Sequence, residues 1–270
     1  MIISDEKMPE AVFLQTMNRC NSRCVICPYK DTYIHSPAEF MTIELFKKIL
    51  SDLTPEYSGH IGLYLHYEPL LDSRLPELIT FVKEMCPLSC VAISTNAALL
   101  DEENSDKICT SPLDSITFNM NGGTKETYEK MMPPLKWETT VGNIKRFLKK
   151  YKNRKDINFI NTNDNFRESE LLKEIFPNVK IEDQYWAVNR GGSVKINKPA
   201  DVKNRFKYSI KKCKQLSSNL SILCDGSILL CCNCWKREVV LGNAHNGSII
   251  DAWNNSPLKH HNHTVCKNCG

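Results

Sequence analysis

Between residues 11 and about 185, short β-rich runs alternate with stretches whose apolar residues recur at helical spacing. "AVFLQT" (11–16) predicts a strand, as do "HIGLYLH" (60–66), "CVAIST" (90–95), "SITFNM" (115–120), "INFINT" (157–162) and "NVKIED" (178–183). "TIELFKKILSDL" (42–53) places Ile43, Phe46, Ile49, Leu50 and Leu53 on one helical stripe, with Thr42 as N-cap. Further helices are predicted over 74–85, from Asp101, near 124–132, over 139–151 and over 168–176. About six successive βα units imply a parallel sheet, open or rolled into a partial barrel, with the chemistry at the carboxyl ends of the strands.

After about residue 195 the pattern changes. "NLSILCDGSILLCC" reads as two strands joined by Asp225-Gly226, a pair suited to a type I′ turn. "VVLGN", an amphipathic "GSIIDAWNN" and a His-rich loop follow. This part is too small for a large core of its own and would gain from a metal staple. The expected division is therefore 1–195 for the βα-repeat domain and 196–270 for a small C-terminal domain.

Composition narrows the picture. The 270 residues carry 35 Lys and Arg against 31 Asp and Glu, a balance that demands neither nucleic acid nor a membrane surface as partner. No apolar run is long enough to span a membrane, and "MIISDEKMPE" is no signal peptide, so a cytoplasmic location is expected. Thirteen cysteines in a reducing compartment are poorly explained by disulfides, which turns attention to metal or cluster ligation.

Three of them, Cys20, Cys24 and Cys27, follow the first strand directly with the spacing C-x3-C-x2-C. A structural zinc site wants four ligands, and no fourth is obvious nearby. Three thiolates on a [4Fe–4S] cluster leave one iron open to a small molecule.

This arrangement resembles the radical SAM superfamily, in which the open iron is chelated by S-adenosylmethionine. The resemblance runs along most of the chain. "YLHYEPLL" is similar to the family's G-G-E-P segment, with Tyr67 where glycine is usual, and implies that Glu68 accepts from the methionyl ammonium. "ISTNA" resembles the ribose-contacting segment and nominates Ser94 and Asn96. "ITFNMNGGTKETYEKM" resembles the fourth-strand segment and nominates Asn119 and Asn121 as cofactor-binding residues. The implied fold is a partial (β/α)6 TIM-type barrel. The implied chemistry is one-electron cleavage of S-adenosylmethionine, followed by hydrogen-atom abstraction from substrate.

The distal cysteines resemble the SPASM and twitch extensions of that superfamily, "C…G-x4-C…C-x2-C". Gly226 to Cys231 fits the central spacing, and "LGNAHNGSIIDAWNNSPL" resembles the stretch between ligands. The resemblance implies a twitch-type auxiliary [4Fe–4S] cluster held by Cys213, Cys231, Cys266 and Cys269, hence two clusters in all. Cys224, Cys232 and Cys234 are left beside it, either as packing residues or in a role: Cys224 could replace a ligand. Cys232 stands where radical SAM epimerases place a hydrogen-donating cysteine. Cys86, Cys90 and Cys109 are expected to pack, and His260, His261 and His263 to form a polar loop.

"AVNRGGSVK" is similar to a segment of twitch dehydrogenases acting on aminocyclitols, and implies that Arg190 contacts a substrate hydroxyl. With a pKa above about 12 it would polarise that group rather than deprotonate it. The leading expectation is oxidation of a small hydroxylated substrate, a sugar or aminocyclitol, with electrons from a flavodoxin or ferredoxin. Alternatives are a radical SAM epimerase, a maturase of ribosomal peptides and, outside the class, a non-catalytic zinc or iron–sulfur protein. Against a peptide substrate, the barrel begins by residue 11, leaving no room for an N-terminal peptide-binding domain.

Overall fold

A computed structural model describes residues 7–196, 213–260 and 262–269. Six parallel strands run side by side, β1 (Ala11–Leu14), β2 (His60–Gly62), β3 (Cys90–Thr95), β4 (Ser115–Asn119), β5 (Arg154–Asn161) and β6 (Lys180–Trp186). Between them lie α1 (Ile43–Ser51), α2 (Leu75–Met85), α3 (Glu102–Thr110), α4 (Lys125–Met131), α5 (Trp137–Lys150) and α6 (Ser169–Ile175). The α/β repeat is thus as expected, an open (β/α)6 array whose sixth strand forms one edge.

Local signals set the helix starts. Thr42 accepts from the Leu45 amide at 3.1 Å, Asp101 from that of Asn104 at 2.9 Å and Thr124 from that of Thr127 at 3.2 Å. Each satisfies one of the amides that a helix leaves unpaired at its first turn. Leu45, Phe46, Ile49 and Leu50 of α1 are buried, as its periodicity requires.

Two expectations are corrected. The predicted second strand stops at Gly62, with one further ladder bond from the Leu63 amide to Ala92 O. Beyond it, side chains take over the carbonyls: Tyr67 OH donates to Leu63 O and Gln15 Nε2 to His66 O. The hairpin of β7 (Asn219–Ile222) and β8 (Ser227–Leu229) exists, but its turn is not type I′. Gly226 alone has a positive φ, its amide donates to Leu223 O, and the Leu223 amide donates to Ser227 O. That is a three-residue loop with glycine at the bulge position, whereas type I′ needs positive φ at both central residues.

The C-terminal part also shares the first sheet. β7 pairs in parallel with β1, Ala11 opposite Asn219 and Leu14 opposite Ile222, and β9 (Val240–Asn243) closes the order β6-β5-β4-β3-β2-β1-β7-β8-β9. Leu220, Ile222, Ile228, Ile249 and Trp253 belong to the same apolar core as the barrel helices. A second, smaller core contains Leu216, Leu223, Leu229, Leu230, Cys234, Val239 and Val265.

Gly122, between β4 and α4, allows a close backbone approach near the strand ends. A Cβ there would stand 2.3 Å from the Tyr128 amide nitrogen and 2.5 Å from its Cα. Backbone cannot yield as a side-chain tip can. Gly122→Ala is expected to destabilise by about 2 kcal/mol or more, read as a lowered urea midpoint with unchanged slope.

Candidate active site

The loop after β1 carries the three cysteines and is fastened on all sides. Arg19 donates to Asn18 O, Tyr33 O and Ser36 O. The Arg23 amide donates to Pro133 O just beyond α4, at 2.7 Å, and the Val25 amide to Met131 O at the end of α4, at 3.0 Å. The Glu68 amide donates to Arg19 O at 2.9 Å, bringing the segment after β2 against the loop.

A cavity of about 620 Å³ opens at the carboxyl ends of the strands. Cys20, Cys24, Cys27, Glu68, Ser94, Asn96, Asn119, Asn121, Arg190 and Cys232 all line it. Residues from six separate stretches singled out in the sequence therefore meet in one place. Ser22 Oγ lies 3.0 Å from Cys24 Sγ, and the Ser22 amide donates to Cys20 Sγ at 3.4 Å. Burial pushes the Cys20 thiol well above its usual range and Cys24 up to about 12, with neighbouring negative groups adding to both. Cys27 is raised by burial as well, against a lowering hydrogen bond from the Tyr29 backbone and the nearby Arg190 charge. Three such thiols become thiolates only with a cation among them, which fits a cluster held on this loop. Among the described residues no three His, Cys, Asp or Glu side chains converge as a single metal ion requires. The thiolates of a cluster each bind a different iron.

Glu68 is buried and its carboxylate accepts from Thr95 Oγ1, from the Leu70 amide at 3.1 Å and from the Asn96 amide at 2.8 Å. Burial raises it to about 7, and these hydrogen bonds pull the other way. Tyr67, at the position of the usual glycine, is turned into the interior, where its hydroxyl receives a bond from Thr16 Oγ1 at 3.1 Å. At the strand ends an amide chain crosses the sheet: Asn158 Nδ2 donates to Asn119 Oδ1 at 3.1 Å, and Asn119 Nδ2 to Ser94 Oγ at 2.8 Å. Asn96 Nδ2 reaches the cysteine loop at Asn21 Oδ1, 2.7 Å away. Asn121 Oδ1 accepts from the Ile160 amide at 3.1 Å.

Cys213, Cys231, Cys266 and Cys269 lie outside the cavity lining but near one another. Cys231 interacts electrostatically with Cys269, and Cys213 with both Cys266 and Cys269. Burial raises Cys231, Cys266 and Cys269. The thiol of Cys269 also accepts from Asn233 Nδ2 at 3.5 Å. The donor set therefore fits a second cluster. Cys224 is apart from it: burial first, then Asp225 and Glu39, raises this thiol to about 12, and it packs in the main core. Cys234 is buried in the smaller core and bonds the Val239 amide and carbonyl. Cys86 is fully buried, and Cys90 and Cys109 are half-buried. His260 and His263 stack at 4.2 Å, and His263 donates to Leu258 O; His261 lies outside the described residues.

Sequence reasoning passed over His66, Asn158, Gln215 and Trp235, which also line the cavity. His66 is buried, stacks on Trp235 at 3.7 Å, and donates from Nε2 to Cys232 O at 2.7 Å. Its Nδ1 then accepts from Tyr33 OH at 3.1 Å, and burial lowers its pKa to about 3, keeping the ring neutral. It thus joins the segment before Glu68, the cysteine loop and the C-terminal part. Gln215 Oε1 accepts from the Cys232 thiol at 3.4 Å. Position of His66 two residues before the Glu-Pro pair was the available signal.

The radical SAM superfamily model matches residues 14–175, and an iron–sulfur cluster-binding domain model, SPASM, matches 213–270. The chain belongs to the radical SAM superfamily and carries a SPASM-type iron–sulfur domain. It is 20% identical over 276 residues to the S-adenosyl-L-methionine-dependent 2-deoxy-scyllo-inosamine dehydrogenase of Niallia circulans, covering 98% of this chain and 94% of that one. Among solved structures it is similar to BtrN in complex with AdoMet and 2-DOIA (TM-score 0.65, 20% identity, 98% and 94% covered). It is also similar to Streptococcus suis SuiB bound to precursor peptide SuiA (TM-score 0.75, 15% identity, 97% and 70% covered). Among the described residues no helix is long and apolar enough to cross a membrane.

Proposed function

We propose that the chain oxidises a secondary alcohol on a small polyhydroxylated substrate, a sugar or aminocyclitol, and holds two [4Fe–4S] clusters. The observation that carries this is the placing of Arg190 and Cys232 in the same cavity as the first three cysteines and the Ser/Asn-lined strand ends. Likeness to the 2-deoxy-scyllo-inosamine dehydrogenase supports the substrate class. Cys20, Cys24 and Cys27 would hold the first cluster, with Glu68, Ser94, Asn96, Asn119 and Asn121 around S-adenosylmethionine. Cys213, Cys231, Cys266 and Cys269 would hold the second. A flavodoxin or ferredoxin would supply electrons.

When bound, these groups supply a 5′-deoxyadenosyl radical and a sink for one electron. The protein's own work is positional. Hydroxyl and amide groups of Ser94, Asn119 and Asn158 offer neutral hydrogen bonds suited to hydroxyls. Arg190 orients the reacting hydroxyl and stabilises the oxyanion left when its proton departs. His66 stacked on Trp235, with Tyr33 packed behind them, walls one side of the cavity against water. The alcohol loses one hydrogen atom from carbon and one proton from oxygen, and the remaining electron leaves, giving a ketone.

A second reading, epimerisation, is favoured by one observation. The Cys232 thiol lines the cavity and donates to Gln215 Oε1 at 3.4 Å, presenting a hydrogen that a carbon radical could take. Reconstituted protein with S-adenosylmethionine, dithionite and 2-deoxy-scyllo-inosamine decides between them. A product two mass units lighter, retained within a few-fold in Cys232→Ala, is expected for dehydrogenation. An epimer of unchanged mass formed by wild type and lost in that variant, while 5′-deoxyadenosine still forms, would instead support epimerisation. Failure of every sugar and aminocyclitol tried to raise 5′-deoxyadenosine formation would sink both.

A further inference from the structure

The segment Asn189-Arg190-Gly191-Gly192 faces two ways. Arg190 lines the cavity. Its charge acts on Cys27 and Cys232 there, and on Cys269 of the C-terminal set. Three successive residues are left-handed, with φ +51 at Arg190, +66 at Gly191 and +87 at Gly192. Glycine tolerates this, whereas an arginine holds it only when its surroundings enforce it.

The enforcing contacts come from the C-terminal cysteine segment. Asn189 Nδ2 donates to Asn268 O. Gly191 is so close that a Cβ would meet Val265 Cγ2 at 2.5 Å and Asn233 O at 3.0 Å, and a Cβ on Gly192 would meet Asn268 Cβ at 3.2 Å. Val265 and Asn268 flank Cys266 and Cys269, and Asn233 bonds the Cys269 sulfur. The turn itself is closed by the Gly192 and Val194 amides on Asn189 O, both at 3.0 Å, and the Ser193 amide on Arg190 O at 3.3 Å.

The segment that supplies this seat is slight. Its helix, Thr264–Lys267, has four residues, and of these only Val265 is buried. A segment with so little packing opens locally unless something fastens it. Ligation through both cysteines would do so, since ligand bonds couple directly to local folding. We infer that the turn 189–194 is an arm through which ligation at Cys266 and Cys269 fixes Arg190, so that filling the C-terminal cysteine set orders the substrate-facing arginine. This rests on the reading of Arg190 and of the two cysteines given above. It gives the second cluster a positioning role besides any electron transfer.

Hydrogen exchange followed by mass spectrometry tests the coupling without a substrate. Anaerobically reconstituted wild type is compared with Cys266→Ser/Cys269→Ser, using the β3 amides as the control for global unfolding. The amides of Gly192, Ser193 and Val194 are expected to exchange about tenfold faster in the variant, with β3 unchanged. Equal exchange of those three amides in both proteins would overturn the inference. Gly191→Ala keeps it refutable should the double variant unfold, since it leaves every cysteine in place. Its iron and sulfide are expected to equal wild type while Ser193 and Val194 exchange faster; slow exchange retained there would overturn the coupling. Because neither readout needs turnover, a failed dehydrogenation assay leaves this result standing.

Discussion

Cys24→Ala protein, reconstituted anaerobically, is expected to form no 5′-deoxyadenosine above the background of cluster-free protein, and to lose about four irons per chain. The reason is geometric as well as chemical. Cys24 Sγ lies against Ser22 on a loop fastened at Pro133, Met131 and Arg19, which fixes where its sulfur stands. The companion variant, with Cys213, Cys231, Cys266 and Cys269 all changed to alanine, is expected to lose about half its iron yet still cleave S-adenosylmethionine. Its missing ligands lie outside the cavity lining. Iron, sulfide and 5′-deoxyadenosine measured together check both. Cleavage by the Cys24 variant, or full iron in the quadruple variant, would refute the assignment of the two cysteine sets.

Glu68→Leu is expected to be destabilised by about 3 kcal/mol, because the Leu70 and Asn96 amides lose their acceptor in a buried site. For a chain of this length that corresponds to a fall of roughly 5–10 °C in thermal midpoint. Glu68→Gln keeps the shape but sets an NH2 group against a donor, so it is expected to fall by less. The loss should depend on pH with a defined sign. Burial raises the carboxyl from its ordinary 4.5 to about 7, so the folded protein holds a proton that the unfolded chain releases between those values. The side chain's own contribution to stability is therefore fully present below about 4.5 and is lost as pH rises through about 7. The gap between wild type and Glu68→Leu is expected to narrow over that window in thermal scans. A gap that widens instead would show the carboxylate to be better satisfied than its burial implies.

Much of this was readable from local pattern. Thr42, Asp101 and Thr124 announced helix starts because capping is decided within one turn of chain. The three cysteines after β1 stood out by their spacing, and the polar residues at or just past the ends of β2, β3 and β4 were nominated by resemblance to radical SAM segments; all of them line one cavity. What escaped depends on distance along the chain. Nothing near His66 shows that Cys232 O will lie 2.7 Å from its ring, and nothing near Asn158 shows that Asn119 will take its amide hydrogen. The Asp225-Gly226 turn misled because one glycine serves both turn types, and the choice rests on whether Asp225 also adopts positive φ. The pairing of β7 with β1 was not foreseen either, since a parallel partner as remote as β1 leaves no mark on the hairpin's own alternation.

That remote pairing sets an order of assembly. During synthesis β1 emerges early, yet the strand that covers its second edge arrives only with Asn219–Ile222. Until then the nascent barrel presents the unpaired backbone of Ala11–Leu14, an adhesive edge of the kind native proteins normally shield. Closing so long a loop comes late, after the more local βα contacts have formed. The cysteine loop that follows β1 is therefore flanked by an open seam until Asn219–Ile222 has been made, an interval in which a ribosome-bound chain is exposed to mispairing with its neighbours.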